Sequence, residues 1–187
     1  MNLTVEQINK LTDKYPYLIP RNSWTGEVIE DYDYTYTEMW ALPDGWHRLF
    51  LLFCKNLKPH LEKANFLDKF YFTQLKEKYG TMRIYTSGVP DSVNDLISYY
   101  EAFSEQICIV CGKPSNWETI GWVSFVCDEH CKYKQESHKL HSKSCMTLFR
   151  YSKDESYQYQ KSFRPLRNEY NYVCTLTEEE FIDYLLN

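Results

Sequence analysis

The sequence predicts an α+β fold: a helix–β-hairpin–helix body with a treble-clef-like zinc finger module. Three observations support this fold. Apolar residues recur at helical spacing over residues 45–64, the period changes to the alternation of strands over residues 70–86, and clustered cysteines follow at the spacing of a zinc site. We therefore expect an α+β body over 1–107, a zinc-finger module and following helix over 108–150, and a C-terminal segment over 151–187 that packs on the body.

Two helices are predicted ahead of the hairpin. Thr4 or Asn2 can cap a first helix that runs to about Lys14, because the residue before Pro16 is disfavoured in helical backbone. Residues 17–39 are expected to be loop or irregular extended chain. Pro43-Asp-Gly predicts a turn before the second helix. The apolar stripe of that helix comprises Trp46, Phe50, Phe53, Leu57 and Leu61.

A β-hairpin and a third helix are predicted next. Alternation places Phe70, Phe72, Gln74 and Lys76 on one strand face, and Tyr71, Thr73, Leu75 and Glu77 on the other. Lys78-Tyr-Gly80 forms the turn, and residues 81–86 return. Pro90-Asp91 then opens a helix with Leu96, Ile97, Tyr100 and Phe103 as its apolar stripe.

The C-terminal part is predicted from weaker patterns. Residues 128–148 favour a helix, residues 157–168 favour irregular chain, and Tyr170–Leu176 favours a strand. Thr177-Glu-Glu-Glu predicts a capped last helix. Cys54, in the apolar stripe of the second helix, and Cys174, in this last strand, are interpreted as core residues.

Composition points to a folded protein of a reducing compartment. The 187 residues are 43% hydrophobic and 25% charged, which is typical of a globular protein. The longest apolar stretch, Leu49–Cys54, is far shorter than the roughly 20 residues that span a bilayer. The N-terminus lacks the basic flank and apolar run of a secretory signal. Seven clustered cysteines favour metal-bound thiolates over disulfides, and hence a cytoplasmic location.

The motif Cys108-Ile-Val-Cys111-Gly, followed by Cys127-Asp-Glu-His130-Cys131, predicts a structural zinc site. Two thiolates two residues apart, with a glycine after them, form a knuckle around a tetrahedral ion. Between the pairs, residues 116–117 and 121–126 can form two short strands, the second of which delivers Cys127. A knuckle, a hairpin and ligands at a helix start are typical of a treble clef.

The fourth ligand is open to two interpretations. From Cys127, His130 lies at i+3 and Cys131 at i+4, so both can face the same side of a helix. We favour His130, which gives Cys108, Cys111, Cys127 and His130 as the metal ligands. A set of free buried thiols is the alternative to a metal site.

Two other metal chemistries are weighed and not favoured. Glu129 beside the ligands suggests a catalytic deaminase zinc, but no His-x-Glu precedes Cys108 as that signature requires. His138, His141 and Cys145 would share a helix face and could form a second site, although a polar helix face explains them as well.

The chain contains the stretch Gln74-Leu-Lys-Glu-Lys-Tyr-Gly-Thr-Met-Arg-Ile-Tyr85, followed by Cys-x-x-Cys-Gly and Cys-Asp-Glu-His130. With these motifs it resembles a family of small uncharacterised bacteriophage and prophage proteins, and the resemblance covers about residues 15–131. In that family the last ligand position holds His or Cys. The resemblance implies a phage or prophage context and a bacterial host cytoplasm.

Three functions are compatible with the sequence. The favoured one is a non-enzymatic accessory protein that binds a host or phage protein, with inhibition of a host defence system as one form. The alternative is a nucleic-acid-binding regulator that uses the finger and the basic segment 132–167. The third is an enzyme, for which Lys76, Glu77 and Arg83 of the hairpin are the candidate residues, although pairing of exposed charges across the strands is the simpler explanation.

Overall fold

The computed structural model describes residues 1–29, 32, 36–119, 122–131, 141–142 and 153–187, with backbone alone for residues 141–142 and 153–163. Helices and two small antiparallel sheets are both present, so the predicted α+β class is confirmed. The elements are α1 (Val5–Lys14), α2 (His47–Lys63), β1 (Phe72–Lys78), β2 (Thr81–Thr86), α3 (Asp91–Ser104), β3 (Trp117–Glu118), β4 (Phe125–Val126), β5 (His141–Ser142), α4 (Lys153–Thr175) and α5 (Glu178–Leu186).

Helix α2 lies at the centre of the core. Its residues Leu49–Cys54 are all buried, because the helix contacts α3 and also the C-terminal helices α4 and α5. Cys54 is confirmed as a core residue. The Tyr17 hydroxyl donates a 2.6 Å hydrogen bond to the Cys54 carbonyl oxygen and ties the segment after α1 to this helix.

The terminal helices begin as the sequence predicts. Thr4 accepts a hydrogen bond from the Gln7 backbone, and Gln7 accepts one from the Thr4 backbone. Thr177 and Glu180 form the same reciprocal pair at the start of α5. Such capping boxes satisfy the backbone donors that a helix leaves unpaired at its N-terminus.

The hairpin has the predicted turn but not the predicted faces. Tyr79 and Gly80 both have positive φ, 53° and 76°, the backbone of a tight two-residue hairpin turn. A register shift between Phe72 and Gln74 adds an unpaired residue to β1. Leu75 is therefore buried like Phe72, although strict alternation placed them on opposite faces.

The C-terminal predictions of irregular chain over 157–168 and a strand over 170–176 are wrong. Both segments belong to α4, in which Leu166, Tyr170 and Val173 are buried at helical spacing. Arg48 of α2 donates to the carbonyl oxygens of Val173 and Leu176 and so satisfies the end of this helix. Cys174 is exposed on α4 rather than buried in a strand.

Helix α5 is fastened to the N-terminal half of the chain. The Tyr15 hydroxyl donates a 2.5 Å hydrogen bond to the Leu185 carbonyl oxygen. Lys55 donates to the Tyr184 carbonyl oxygen, and its ammonium lies 3.7 Å from the centre of the Tyr184 ring. The division into the three predicted domains stays a prediction.

The helix predicted over 128–148 is wrong where the chain is described. Residues 128–130 form a turn, and His141–Ser142 is strand β5, which pairs with β3 on the edge opposite β4. The rest of that segment lies outside the described residues. No helix in the described part of the chain has the length and apolar character needed to cross a membrane.

Candidate metal centre

The first half of the site is a tight backbone knuckle. The Gly112 N–H donates a 2.9 Å hydrogen bond to the Cys108 carbonyl oxygen. The Cys108 N–H donates a 2.7 Å hydrogen bond to the Lys113 carbonyl oxygen. Gly112 has φ +76°, a conformation that favours glycine. The chain therefore reverses at Gly112, and Cys108 and Cys111 point their sulfurs to the same side.

The second half follows a short hairpin, as the sequence predicts. β3 and β4 pair antiparallel, with Trp117 opposite Val126, and β4 leads directly into Cys127. The His130 N–H then donates to the Cys127 carbonyl oxygen at 3.1 Å, which closes a turn. That turn brings the His130 ring over the thiols.

Glu129 and Asp128, which lie between Cys127 and His130, make polar contacts with the knuckle and with the hairpin, respectively. The Lys113 ammonium, next to the knuckle, lies 2.7 and 2.8 Å from the two carboxylate oxygens of Glu129. Asp128 accepts hydrogen bonds from the Asn116 side chain at 2.9 Å and from the Trp117 indole at 2.7 Å. The side chains of Asp128 and Glu129 therefore stabilise the loop that carries Cys127 and His130.

The structure brings together Cys108, Cys111, Cys127 and His130, the four residues predicted as ligands. Their four donor atoms lie within 4.8 Å of one another, so the group can hold a metal ion. The Cys111 and Cys127 sulfurs are 3.6 Å apart. His130 Nδ1 lies 3.3 Å from the Cys127 sulfur and 3.7 Å from the Cys108 sulfur.

Cys131, the other candidate for the fourth ligand, is not a member of this group. It is 8% exposed and packs with Cys108, Val126 and Cys127 in a small apolar cluster under the site. The structure therefore orients the imidazole, and not the Cys131 thiol, toward the other three donors.

The thiols have opposed protonation tendencies. Burial alone would raise the pKa of Cys108, but backbone hydrogen bonds from Cys127, Cys111 and Val110 lower it overall. The pKa of Cys111 is raised, first by burial and then by the neighbouring thiols. Thiolates this close repel one another, and a bound cation would compensate that charge.

The knuckle is embedded in the body of the protein. A β-carbon on Gly45 would lie 2.1 Å from the Cys108 carbonyl oxygen, and the Gly45 N–H donates a 3.1 Å hydrogen bond to Ile109. From the other side, the buried Tyr170 hydroxyl donates a 2.9 Å hydrogen bond to the Gly112 carbonyl oxygen. These supporting residues could not be found from the sequence, because no spacing pattern links them to the cysteines.

The hairpin residues considered for an enzyme do not converge on one point. Arg83 lies 3.4 Å from Glu101 of α3, Lys76 donates to Gln74, and Glu77 accepts a 2.6 Å hydrogen bond from the Gly80 N–H in the turn. Charge pairing across the strands is not observed for these three, because Lys76 faces Arg83 in the register.

The second metal site considered for His138, His141 and Cys145, and not favoured, lies largely outside the described residues. Among the three, only the backbone of His141 is described, and it belongs to strand β5 rather than to a helix. The i, i+3 and i+7 spacing on which that site depended therefore does not apply at His141.

A groove of about 610 Å³ borders the knuckle beside Cys111, Tyr170 and Cys174. Its two described basic side chains are already engaged, since Arg48 donates to the end of α4 and Lys113 pairs with Glu129. The groove therefore marks the line along which the knuckle packs beside α4.

Comparison of the chain with known protein families, with curated proteins and with solved structures yields no match.

Proposed function

We propose that Cys108, Cys111, Cys127 and His130 bind one zinc ion and that this chain is a zinc-stabilised, non-enzymatic binding protein. The observation that carries the proposal is the spacing of the four donor atoms. Zn–S bonds of about 2.3 Å and a Zn–N bond of about 2.0–2.1 Å imply edges of about 3.8 Å between sulfurs and about 3.6 Å between sulfur and nitrogen. Three of the six donor–donor separations, 3.6, 3.3 and 3.7 Å, lie close to those edges, and all six are within 4.8 Å.

The donor set favours a structural over a catalytic ion. Catalytic zinc sites keep one position for water or substrate, whereas three thiolates and one imidazole complete a tetrahedron. The nearest acid in sequence, Glu129, is paired with Lys113 instead of facing the donors as a base would. The ion would therefore supply folding energy and a fixed backbone.

Exposed aromatic side chains support a binding role. Trp24 is 92% exposed and Trp122 is 81% exposed, although tryptophan is normally largely buried in folded proteins. Aromatic residues of this kind are enriched at protein interfaces, and the net charge of −5 disfavours nucleic acid. The proposed partner is therefore a protein.

The resemblance to phage and prophage proteins adds a biological context to the proposal. It favours a host or phage protein as the partner, in the cytoplasm of a bacterial host. Inhibition of a host defence system is one activity that such binding would produce.

To test the proposal, the tagged chain is purified from bacterial cells and the proteins that co-purify with it are identified. Each of these proteins is then purified separately and mixed with the chain. We expect one protein to form a stable complex with the zinc-loaded chain and not with the Cys127→Ser variant. Zinc-loaded protein that forms no complex with any separately purified candidate, or that turns over a substrate, would contradict the proposal.

A further inference from the structure

The loop over residues 22–29 is held by its own hydrogen bonds. The Asn22 side chain accepts hydrogen bonds from the backbones of Trp24 and Thr25 at 2.9 and 3.1 Å. The Gly26 N–H donates to the Asn22 carbonyl oxygen at 2.8 Å, and Arg21 pairs with Val28 in an isolated β-bridge. The loop is thus preorganised without contributing its largest side chain to the core.

The loop packs on Tyr71, the residue before strand β1. Gly26 has φ +75°, and a β-carbon there would lie 2.9 Å from the Tyr71 ring. The Arg21 guanidinium donates a 2.9 Å hydrogen bond to the Gly26 carbonyl oxygen. One nitrogen of the guanidinium is therefore engaged by the backbone of the loop.

Three apolar side chains of this loop face solvent together. Trp24 is 92% exposed, Ile29 is 50% exposed and Val28 is 45% exposed, and all three line one shallow groove of about 490 Å³. A rigid loop that presents an indole with adjoining aliphatic groups resembles a binding hot spot, where aromatic anchors enter a pocket of the partner. Preorganisation lowers the entropy lost on binding.

The sequence at the end of this loop and directly after it is acidic. Residues 27–33 contain four carboxylates and no lysine or arginine, and the nearby cation, Arg21, donates to the Gly26 carbonyl oxygen. Glu27 is exposed on the loop itself. A phosphate backbone would be repelled here, and a basic protein surface would be attracted.

We propose that this loop, residues 22–29, is a docking surface for a basic protein segment that packs a large apolar side chain against the Trp24 indole. The inference rests on the proposed function of protein binding and adds the surface and the charge of the partner. Glu27 and the carboxylates that follow it in the sequence steer the encounter, and Trp24 with Val28 and Ile29 provides the apolar contact.

The experiment uses a random peptide library, displayed on particles and selected on the immobilised zinc-loaded chain. We expect enriched peptides to carry lysine or arginine next to a large apolar residue. Their synthetic forms should bind Trp24→Ala about thirtyfold more weakly than the unmodified chain, as on truncation of a hot spot. Glu27→Lys should weaken binding in a salt-dependent way.

Trp122→Ala is the matched control, since it removes the other strongly exposed indole and should leave peptide affinity unchanged. Thermal unfolding of both variants should match the unmodified chain, because neither indole belongs to the core. Acidic or uncharged peptides, unchanged affinity in Trp24→Ala, loss in Trp122→Ala, or no enrichment would each overturn the inference. Self-association abolished by Trp24→Ala would also overturn it, because the occupant would then be a second copy.

Failure of this inference is distinguishable from failure of the proposed function. A purified partner that binds the unmodified chain and Trp24→Ala equally would leave protein binding in place and remove only this surface. The absence of any protein complex would remove the proposed function itself.

Discussion

The α-carbon of Gly45 faces the carbonyl oxygen of Cys108 so closely that a β-carbon at Gly45 would lie 2.1 Å from it. The turn that begins helix α2 is therefore packed directly on the metal knuckle. Because Leu49–Cys54 of the same helix are buried in the core, a change at the knuckle reaches the body through Gly45. Metal binding and folding of the body are expected to be coupled.

The first prediction concerns this contact. Gly45→Ala should lower the free energy of unfolding by about 3 kcal/mol or more, because the new methyl group meets backbone rather than a flexible side chain. Chemical denaturation of the metal-loaded protein measures the change. Gly88→Ala is the control: Gly88 has φ +104° and no atom within 4 Å of a β-carbon, so only backbone strain of about 1–3 kcal/mol is expected. Equal stabilities of Gly45→Ala and the unmodified chain would contradict the packing.

The second prediction concerns metal content. Protein purified without chelator should contain about one zinc per chain, and Cys108→Ser or Cys127→Ser should lose the zinc together with cooperative unfolding, because metal binding energy is folding energy. Elemental analysis and thermal melting measure both properties. Cys174→Ser serves as control, since Cys174 is exposed and outside the ligand group. Metal-free protein with an unchanged melting transition would contradict this prediction.

The third prediction separates the two candidates for the fourth ligand. His130→Ala should weaken zinc retention strongly against a competing chelator, because it removes a donor from the group. Cys131→Ser should keep the metal, at the cost of about 1–2 kcal/mol from a polar group placed in the apolar cluster. The reverse order of zinc retention would move the site to four thiolates.

The parts of the fold that the sequence predicts correctly depend on local patterns. The capping boxes at Thr4 and Thr177 and the Tyr79-Gly80 turn each need only neighbouring residues. Helix α4 was predicted wrongly, because the β-forming residues around Tyr170 indicate a strand. Its burial against the core, and the pairing of its C-terminal end with Arg48, favour a helix instead.

In the candidate site, too, the features set by local sequence patterns can be predicted, and those that depend on the folded chain cannot. Cys108, Cys111 and Cys127 follow from the cysteine spacing, which the coordination geometry of a metal imposes along a short stretch of chain, and the same spacing offers His130 or Cys131 as the fourth donor. The supports at Gly45 and Tyr170 approach the knuckle only after the chain has folded. The choice between His130 and Cys131 required the turn at residues 128–130, since the helix expected there made both possible.

The fourth prediction concerns pH. Burial raises the pKa of Glu38 from 4.5 to about 7, and a hydrogen bond from the Arg21 backbone offsets part of the rise. The folded state therefore holds this proton more tightly than the unfolded state. The stability from Glu38 is fully present below about pH 4.5 and is lost as pH rises through about 7.

Glu38→Gln tests this dependence, because it keeps the shape of the side chain and removes its titration. Denaturant midpoints measured across the same pH range should fall less steeply with rising pH in Glu38→Gln than in the unmodified chain. Glu62→Gln, at a carboxylate paired with Lys58 on the surface of α2, is the control. Identical slopes in Glu38→Gln and the unmodified chain would contradict the assigned burial effect.

The last prediction is that this chain does not bind DNA through general electrostatic attraction. Such binding gains its free energy from counterions released as lysine and arginine neutralise phosphates. Residues 128–167 carry nine lysine and arginine side chains, but five carboxylates lie among them, and residues 168–187 add five more without a basic residue. Of the acidic residues in α5, Glu178, Glu179 and Glu180 are exposed at its N-terminus.

Few net phosphate contacts remain, so the association expected at physiological salt is weak, and its decline with salt is shallow because the slope scales with the number of contacts. A gel-shift titration with mixed-sequence duplex and with single strands measures this affinity. The triple variant Glu178→Gln, Glu179→Gln and Glu180→Gln should bind somewhat more tightly than the unmodified chain, because it removes repulsion without adding a cation. Submicromolar binding by the unmodified chain would instead favour a nucleic-acid-binding regulator over a protein-binding one.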